Sequence, residues 1–414
     1  DFIHYLSQRH ETTSVSLLLG LAAAHVGTME ATVHRLLCLH VPSLSSVGAA
    51  SIEILPLAQT AALFALGLLN LGNAQRHIAE AAASELRASA GAAPERPDRE
   101  GYALAAGAVL GLLALGQGGC APGLASLQLD SMLLRLLDGG PTPPAWVQQQ
   151  QLQHQALGSD GAQSTGTTAL GSAGGAASAS SMTCDTLSVV GVINTDVVAP
   201  AAALALALMY QRTMDSVLAA RIAVPDTMFL LGCVRPDVMT LRTVARCLVM
   251  WDEIQPSAVW LQSLLPPVVA RYISTVVPSA ISAPVPAASK LQDEFSAADT
   301  DTELLVWAYI CVSAGGCLAV GLRYAGTSDT AATQMLMTHI RLLLKSKLAR
   351  KVPALVCAQE SAIAVCALAL GMVVSGSGHV ESLSLLRALH RRVSPDVTYG
   401  HHVAIGMALS FAGM

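Results

Sequence analysis

Charge is scarce in this chain. Asp, Glu, Lys and Arg together make up 12% of its 414 residues, about half the share in an ordinary soluble domain. Only 23 residues are basic and the formal net charge is −5. That argues against a nucleic-acid surface, because phosphate neutralisation needs a basic footprint. Aromatic residues are equally thin at 4%, against 53% hydrophobic overall. The apolar bulk is therefore aliphatic and small, which suits helices packed tightly on helices. No C-x-x-C pair occurs among the nine cysteines, and most sit in apolar runs (Cys38, Cys247, Cys311, Cys317, Cys357, Cys366). There a thiol packs as a small hydrophobe, and an odd count without framework spacing fits a reducing compartment. The opening DFIHYLSQRH carries no basic n-region or cleavage site, which predicts no signal peptide and a segment of a longer chain.

The signatures of chemistry are missing too. Each G-x-x-x-x-G is followed by Asn73, Gln117, Thr327 or Ser377, so the Lys-Ser or Lys-Thr that would meet a nucleotide phosphate is absent. Gly116 to Ala121 spells G-x-G-x-x-A, but a helical run precedes it where a dinucleotide site needs a strand. Neither H-E-x-x-H nor a Cys/His cluster with ligand spacing appears, and His401-His402 reads as packed or surface histidine. Asp299, Asp301 and Glu303 read as a solvated charge run, as do Arg341, Lys345, Lys347, Arg350 and Lys351. The sequence assigns no catalytic residue, no cofactor-binding residue and no metal ligand.

What is present is a repeat. Runs of small apolar residues recur around paired glycines: Gly20/Gly27, Gly67/Gly72, Gly111/Gly116, Gly321/Gly326, Gly371/Gly376 and Gly406/Gly413. The inner four pairs are five residues apart, and the first and last are seven apart. Successive first glycines step by 47, 44, 50 and 35 residues where copies adjoin. Two worn copies fill the long gap. One places Ala207 and Arg212 where the glycines fall, and the other lies at Leu241 to Glu253. Eight repeats are expected, near 14–45, 59–88, 103–137, 199–222, 241–272, 305–350, 361–392 and 401–414.

Each repeat predicts a helix pair. The first helix is apolar nearly all round, so it is buried on most sides. A glycine inside it costs about 0.5–1 kcal/mol relative to Ala, so its recurrence implies close helix packing. The second glycine suits a left-handed helix stop, with Thr28, Asn73 or Thr327 and Ser328 placed to cap the next helix. That second helix is amphipathic, with Ala332, Met335, Leu336, Ile340, Leu343 and Leu344 on one face of its sixth copy. The fold expected is an all-α solenoid of helical hairpins, stabilised by neighbour stacking. Residues 139–182 read as a disordered insertion and 276–303 as a flexible one. The β-branched run 188–198 predicts one short strand. A multi-pass membrane protein is the competing class, since Leu304 to Leu322 lacks charge. The expectation is that the glycine turn cuts such runs into helices too short to cross.

The paired glycines and the 35–50 residue step resemble the proteasome/cyclosome repeat. The words REGYALAAG, VPDTMFLLGCVRPDVMTLRTVARCLVMWDEI and YGHHVAIGMALSFAG are similar to that repeat as it occurs in the largest subunit of the anaphase-promoting complex. The proteasomal regulatory-particle scaffolds, which bind ATPase subunits and ubiquitin-like domains, are the alternative setting. The resemblance implies a toroid of helix pairs and a non-catalytic scaffold in a RING-type ubiquitin ligase of the cell cycle, in nucleus and cytoplasm. The partners it implies are tetratricopeptide-repeat subunits, the cullin/RING module, the Doc-homology subunit and the coactivator, with no cofactor, nucleic acid or membrane. The twelve paired glycines would serve as structural repeat-turn positions.

Overall fold

The computed structural model describes residues 11–44, 54–91, 99–141, 146, 192–276, 300–346, 352–393 and 399–413. Among the described residues all extended regular structure is helical. The first six helices are α1 (Glu11–Ala24), α2 (Ala31–Cys38), α3 (Pro56–Leu69), α4 (Arg76–Ala90), α5 (Arg99–Leu113) and α6 (Leu129–Asp138). Then come α7 (Thr195–Met209), α8 (Ser216–Ile222), α9 (Met228–Gly232), α10 (Pro236–Val249), α11 (Ala258–Ser263) and α12 (Pro267–Val276). The last five are α13 (Thr300–Arg323), α14 (Thr330–Lys345), α15 (Pro353–Val373), α16 (Val380–Arg392) and α17 (Tyr399–Gly413).

The apolar helices α1, α3, α5, α7, α10, α13, α15 and α17 stand in a row, each packed on the next. The amphipathic helices back this row, and α2, α4, α6, α8, α12, α14 and α16 each pack on the apolar helix that follows them. Residue size explains the row. In α7, Ala201, Ala202, Ala203, Ala205 and Ala207 are all fully buried, so neighbours on both sides approach without large side chains between them. Isolated helices of this length are marginal in water, so their stability comes from that packing. One core runs from Leu18 to Val249 and a second from Cys247 to Ala412, meeting at α10. The structure is a helical solenoid.

Several expectations change. The strand expected at 188–198 is not one. Val192 forms a single antiparallel bridge with Pro141, Thr195 onward is helical, and residues 188–191 lie outside the described residues. Burial decides it, since Val198 is fully buried within the row, and such tertiary contacts override β propensity. Most of the insertion expected at 139–182 lies outside the described residues, yet Trp146 packs against the first core. The insertion expected at 276–303 is shorter at both ends. Val276 ends α12, and Asp301 and Glu303 sit in the first turn of α13, where acidic side chains favour the helix dipole. Residues 277–299 lie outside the described residues.

The membrane argument also changes. No glycine turn cuts Leu304 to Leu322, because Gly315, Gly316 and Gly321 all lie inside α13 and the turn comes later, at Gly326. Helices α13 and α15 are long and apolar enough to cross a membrane. Of the relevant window, 78% in α13 and 50% in α15 is buried against neighbouring helices of the fold.

Candidate functional site

The feature that recurs along the row is the seam between one repeat and the next. The turns after α1, α3, α5, α7, α13 and α15 each hold a residue in the left-handed region: Gly27 (φ 71°), Gly72 (70°), Gly116 (67°), Arg212 (61°), Gly326 (68°) and Gly376 (74°). Glycine adopts this conformation without steric cost. The turn amide does not close its own helix. It donates across the seam to the last turn of the next apolar helix: Gly27 to Leu68 (3.0 Å), Gly72 to Leu112 (2.9 Å), Gly116 to Leu208 (3.0 Å), Arg212 to Leu248 (3.0 Å), Gly326 to Met372 (2.8 Å) and Gly376 to Phe411 (3.2 Å). The last four carbonyls of a helix have no intrahelical donor, and at these six seams the preceding repeat supplies one. Met29, Met214 and Ser328 add a second rung by donating to Leu69, Val249 and Val373.

The turn has further fixed positions. The hydroxyls of Thr28, Thr213, Thr327 and Ser377 donate back to the carbonyls of His25, Tyr210, Tyr324 and Val374. This replaces the capping role expected of Thr28, Thr327 and Ser328. Asn73 likewise donates to Leu71 rather than capping α4. Except after Gly116, the N-cap of the following helix stands three places after the left-handed residue. Asp215 accepts from Val217 and Leu218, Asp329 from Ala332, and His379 from Ser382.

The first glycines of the inner pairs lie against the next helix. A Cβ on Gly67 would meet Val109 Cα at 3.1 Å, and one on Gly111 would meet Leu208 Cβ at 2.6 Å. On Gly321 it would meet Ala369 Cα at 2.6 Å, and on Gly371 Ala408 Cα at 2.6 Å. Sequence reasoning missed two similar contacts, Gly107 against Ala201 and Gly315 against Thr240 and Thr243.

The end pairs differ. A Cβ on Gly20 would meet nothing within 4 Å, and one on Gly406 would come no closer than 3.7 Å, to His390. Gly413 is the last residue of α17 and has no left-handed backbone. The acceptor Phe411 puts the true turn register beyond Gly413, so Gly406 and Gly413 match the motif by letter only. Gly20 lies seven places before Gly27, the register at which Val109 and Ala369 stand in their own repeats to receive the preceding glycine. No described helix precedes α1.

At the junction of α10 and α13 a side chain takes the place of the backbone rung. The Arg323 guanidinium donates to the Trp251 carbonyl and reaches Asp252 at 3.4 Å. Of the two worn repeats, this is the one without a left-handed residue in its turn. Elsewhere Arg341 pairs with Glu381 at 2.8 Å, while Lys347, Arg350 and Lys351 lie outside the described residues. His401 shares a hydrogen bond with Ser361, and His402 lies against His390. An open hollow of about 490 Å³ beside the Gly116 turn is lined by Cys120, Asp130, Tyr210 and Asp215. Burial, then a hydrogen bond to Asp130, pushes the Tyr210 phenol up to about 12, so it serves there as a donor. Its oxygen accepts from the Gly119 amide at 3.2 Å.

The chain matches the family described as the APC1 fifth domain over residues 31–413. It is 32% identical to anaphase-promoting complex subunit 1 of Mus musculus and of Homo sapiens, with 98% of this chain and 19% of each relative covered. The Arabidopsis thaliana protein of that name is 33% identical over 99% of this chain and 23% of its own length. A relative from Emericella nidulans, 30% identical over 98% of this chain and 17% of its own length, is named a negative regulator of mitosis. The chain thus spans about a fifth of the length of the curated relatives it matches, and on this coverage it belongs to the APC1 fifth-domain family.

Proposed function

We propose that this chain is a non-catalytic scaffold segment of an anaphase-promoting complex, the multi-subunit ubiquitin ligase of the cell cycle. The supporting observation is a match to subunit 1 of that complex along nearly the whole chain. Those relatives are named for the anaphase-promoting complex, which favours that setting over the proteasomal one. The seam geometry suits the role. Apolar helices locked edge to edge by backbone hydrogen bonds form a stiff spine, and a stiff spine holds partners at fixed separations. In this reading the exposed helix faces support the tetratricopeptide-repeat subunits, the cullin/RING module, the Doc-homology subunit and the coactivator. Ubiquitin transfer belongs to the cullin/RING chains, and the complex works in nucleus and cytoplasm.

The test is affinity purification of the full-length protein from its own cells, followed by mass spectrometry. Recovery of cullin/RING and tetratricopeptide-repeat subunits is expected. Recovery of proteasomal ATPases instead would overturn the reading.

A further inference from the structure

Three side chains from successive helices meet inside the second core: Cys317 on α13, His339 on α14 and Cys366 on α15. All three are buried, and their ligand atoms lie within 4.8 Å of one another. Nothing in their sequence spacing announces the cluster, because each ligand comes from a different helix. We propose that Cys317, His339 and Cys366 form a structural metal site that takes one Zn2+ ion and ties consecutive repeats together.

Four observations carry this. First, His339 is 8% exposed and its Nε2 is buried without a hydrogen-bond partner. A buried polar atom without a partner is costly, and a metal would supply one. Second, two thiols and an imidazole are the donor set that soft and borderline ions prefer. Third, the distances fit. Zinc with bonds of about 2.0–2.3 Å sets tetrahedral ligand atoms roughly 3.5–3.8 Å apart, within reach of small rotamer adjustments here. Fourth, the charges close. Two thiolates, a neutral imidazole and Zn2+ sum to zero, so the loaded site is as neutral as the empty one. Loading follows Zn2+ + 2 RSH + His → Zn(SR)2His + 2 H+, with both protons leaving to solvent.

The empty site is consistent with that exchange. Burial holds His339 down at about 4, so its imidazole is neutral near pH 7 and keeps a lone pair for a metal. A hydrogen bond with Cys366, together with burial, holds the Cys317 thiol well above its ordinary range. Without a metal the Cys317 thiol therefore stays protonated. The location gives the ion a purpose: α13 and α15 are adjacent in the row, and α14 packs on α15 from outside. The inference does not depend on which complex the chain joins.

The experiment uses the full-length protein, purified under reducing conditions, exposed to Zn2+ and desalted. Zinc per chain is measured by plasma mass spectrometry for the wild type and for the double variant Cys317→Ser/Cys366→Ser, with circular dichroism confirming that both are folded. The expected difference is one zinc per chain, and equal zinc in the two proteins overturns the proposal. Because the double variant can fail to fold, a second measurement uses folded wild type stripped with chelator and titrated with Co2+. A thiolate-to-cobalt charge-transfer band that His339→Gln weakens at least about tenfold in apparent affinity supports the site. A titration curve that His339→Gln leaves unchanged overturns it, as does a Cys317–Cys366 disulfide in the peptide map of the reduced preparation.

Discussion

The Gly326 amide donates to the Met372 carbonyl at 2.8 Å, from a residue held at φ 68°. One residue thus does two jobs. It follows the end of α13 and supplies a donor from the neighbouring repeat to the last turn of α15. The same pairing joins Gly27 to Leu68 and Gly376 to Phe411, so the turn is the bond between repeats as well as the break within one. Stability in such an array is a sum of nearest-neighbour terms, and changes at single seams should read out directly.

The two kinds of glycine predict opposite outcomes for one substitution. Gly371→Ala places a methyl 2.6 Å from both Ala408 Cα and Ala408 O, and backbone cannot step aside cheaply. Overpacking costs typically 1–3 kcal/mol, against a helix-propensity gain of about 0.5–1 kcal/mol, so a net loss of about 1–2 kcal/mol is expected. Gly20→Ala meets nothing within 4 Å and should gain about 0.5–1 kcal/mol. Chemical denaturation of both variants decides this, and a stabilised Gly371→Ala would remove the close-packing argument.

Arg212 does the work of a glycine at a cost. It sits at φ 61°, where a residue with a Cβ is strained by roughly 1–2 kcal/mol. Its pairing with Asp252 at 3.5 Å is exposed, and such pairs contribute about 0–1 kcal/mol. Arg212→Gly should therefore stabilise the chain by about 1 kcal/mol. Arg212→Ala keeps the strain and loses the pair, so it should be neutral or slightly destabilising. Equal melting temperatures for the Gly and Ala variants would mean that the left-handed backbone carries no strain there.

What the sequence reveals, and what it hides, follows from which constraints one residue type can express. Close approach at Gly67 and Gly371 is legible because only glycine fits there. The turn at Arg212 is legible by register although its residue type is wrong. Gly406 and Gly413 show the converse, with the right letters in the wrong register. The cap position is harder to see, because Glu30, Gln75, Asp215, Asp329 and His379 share a place but no chemistry. Helix α13 reads as broken because the repeat's glycine turn is expected to cut the run from Leu304 to Leu322. In the fold a stop also needs a neighbour's carbonyl, which no local pattern encodes. The cluster of Cys317, His339 and Cys366 is hidden for the same reason, since stacking alone brings it together.

Arg323 holds the α10–α13 seam, which lacks the backbone rung, with its side chain. Arg323→Leu leaves the Trp251 carbonyl without its guanidinium donor, and losing a partner of this kind costs about 1–3 kcal/mol. Arg323→Lys keeps the charge but lacks the forked donor, so it should recover only part of the loss. Hydrogen exchange should quicken first along α10 and α13, the helices that meet there. Uniform loss of protection across the whole chain would show that this junction is no weaker than the others.

His339 makes the stability of the metal-free chain depend on pH. Its ordinary value is 6.5, and burial lowers it to about 4 in the fold. Between those values the unfolded chain binds a proton that the folded chain refuses, so stability falls as pH drops. The loss starts below about pH 6.5 and is complete near pH 4, amounting to about 3 kcal/mol. Cys317, whose thiol is held well above its ordinary range, stays protonated throughout that window and adds nothing. His339→Leu removes the titrating group, so its stability difference from wild type should shift in the variant's favour by about that amount between pH 7 and pH 4. Thermal melts of chelator-treated protein across this range measure it, and parallel curves for the two proteins would mean that His339 is not neutralised by burial.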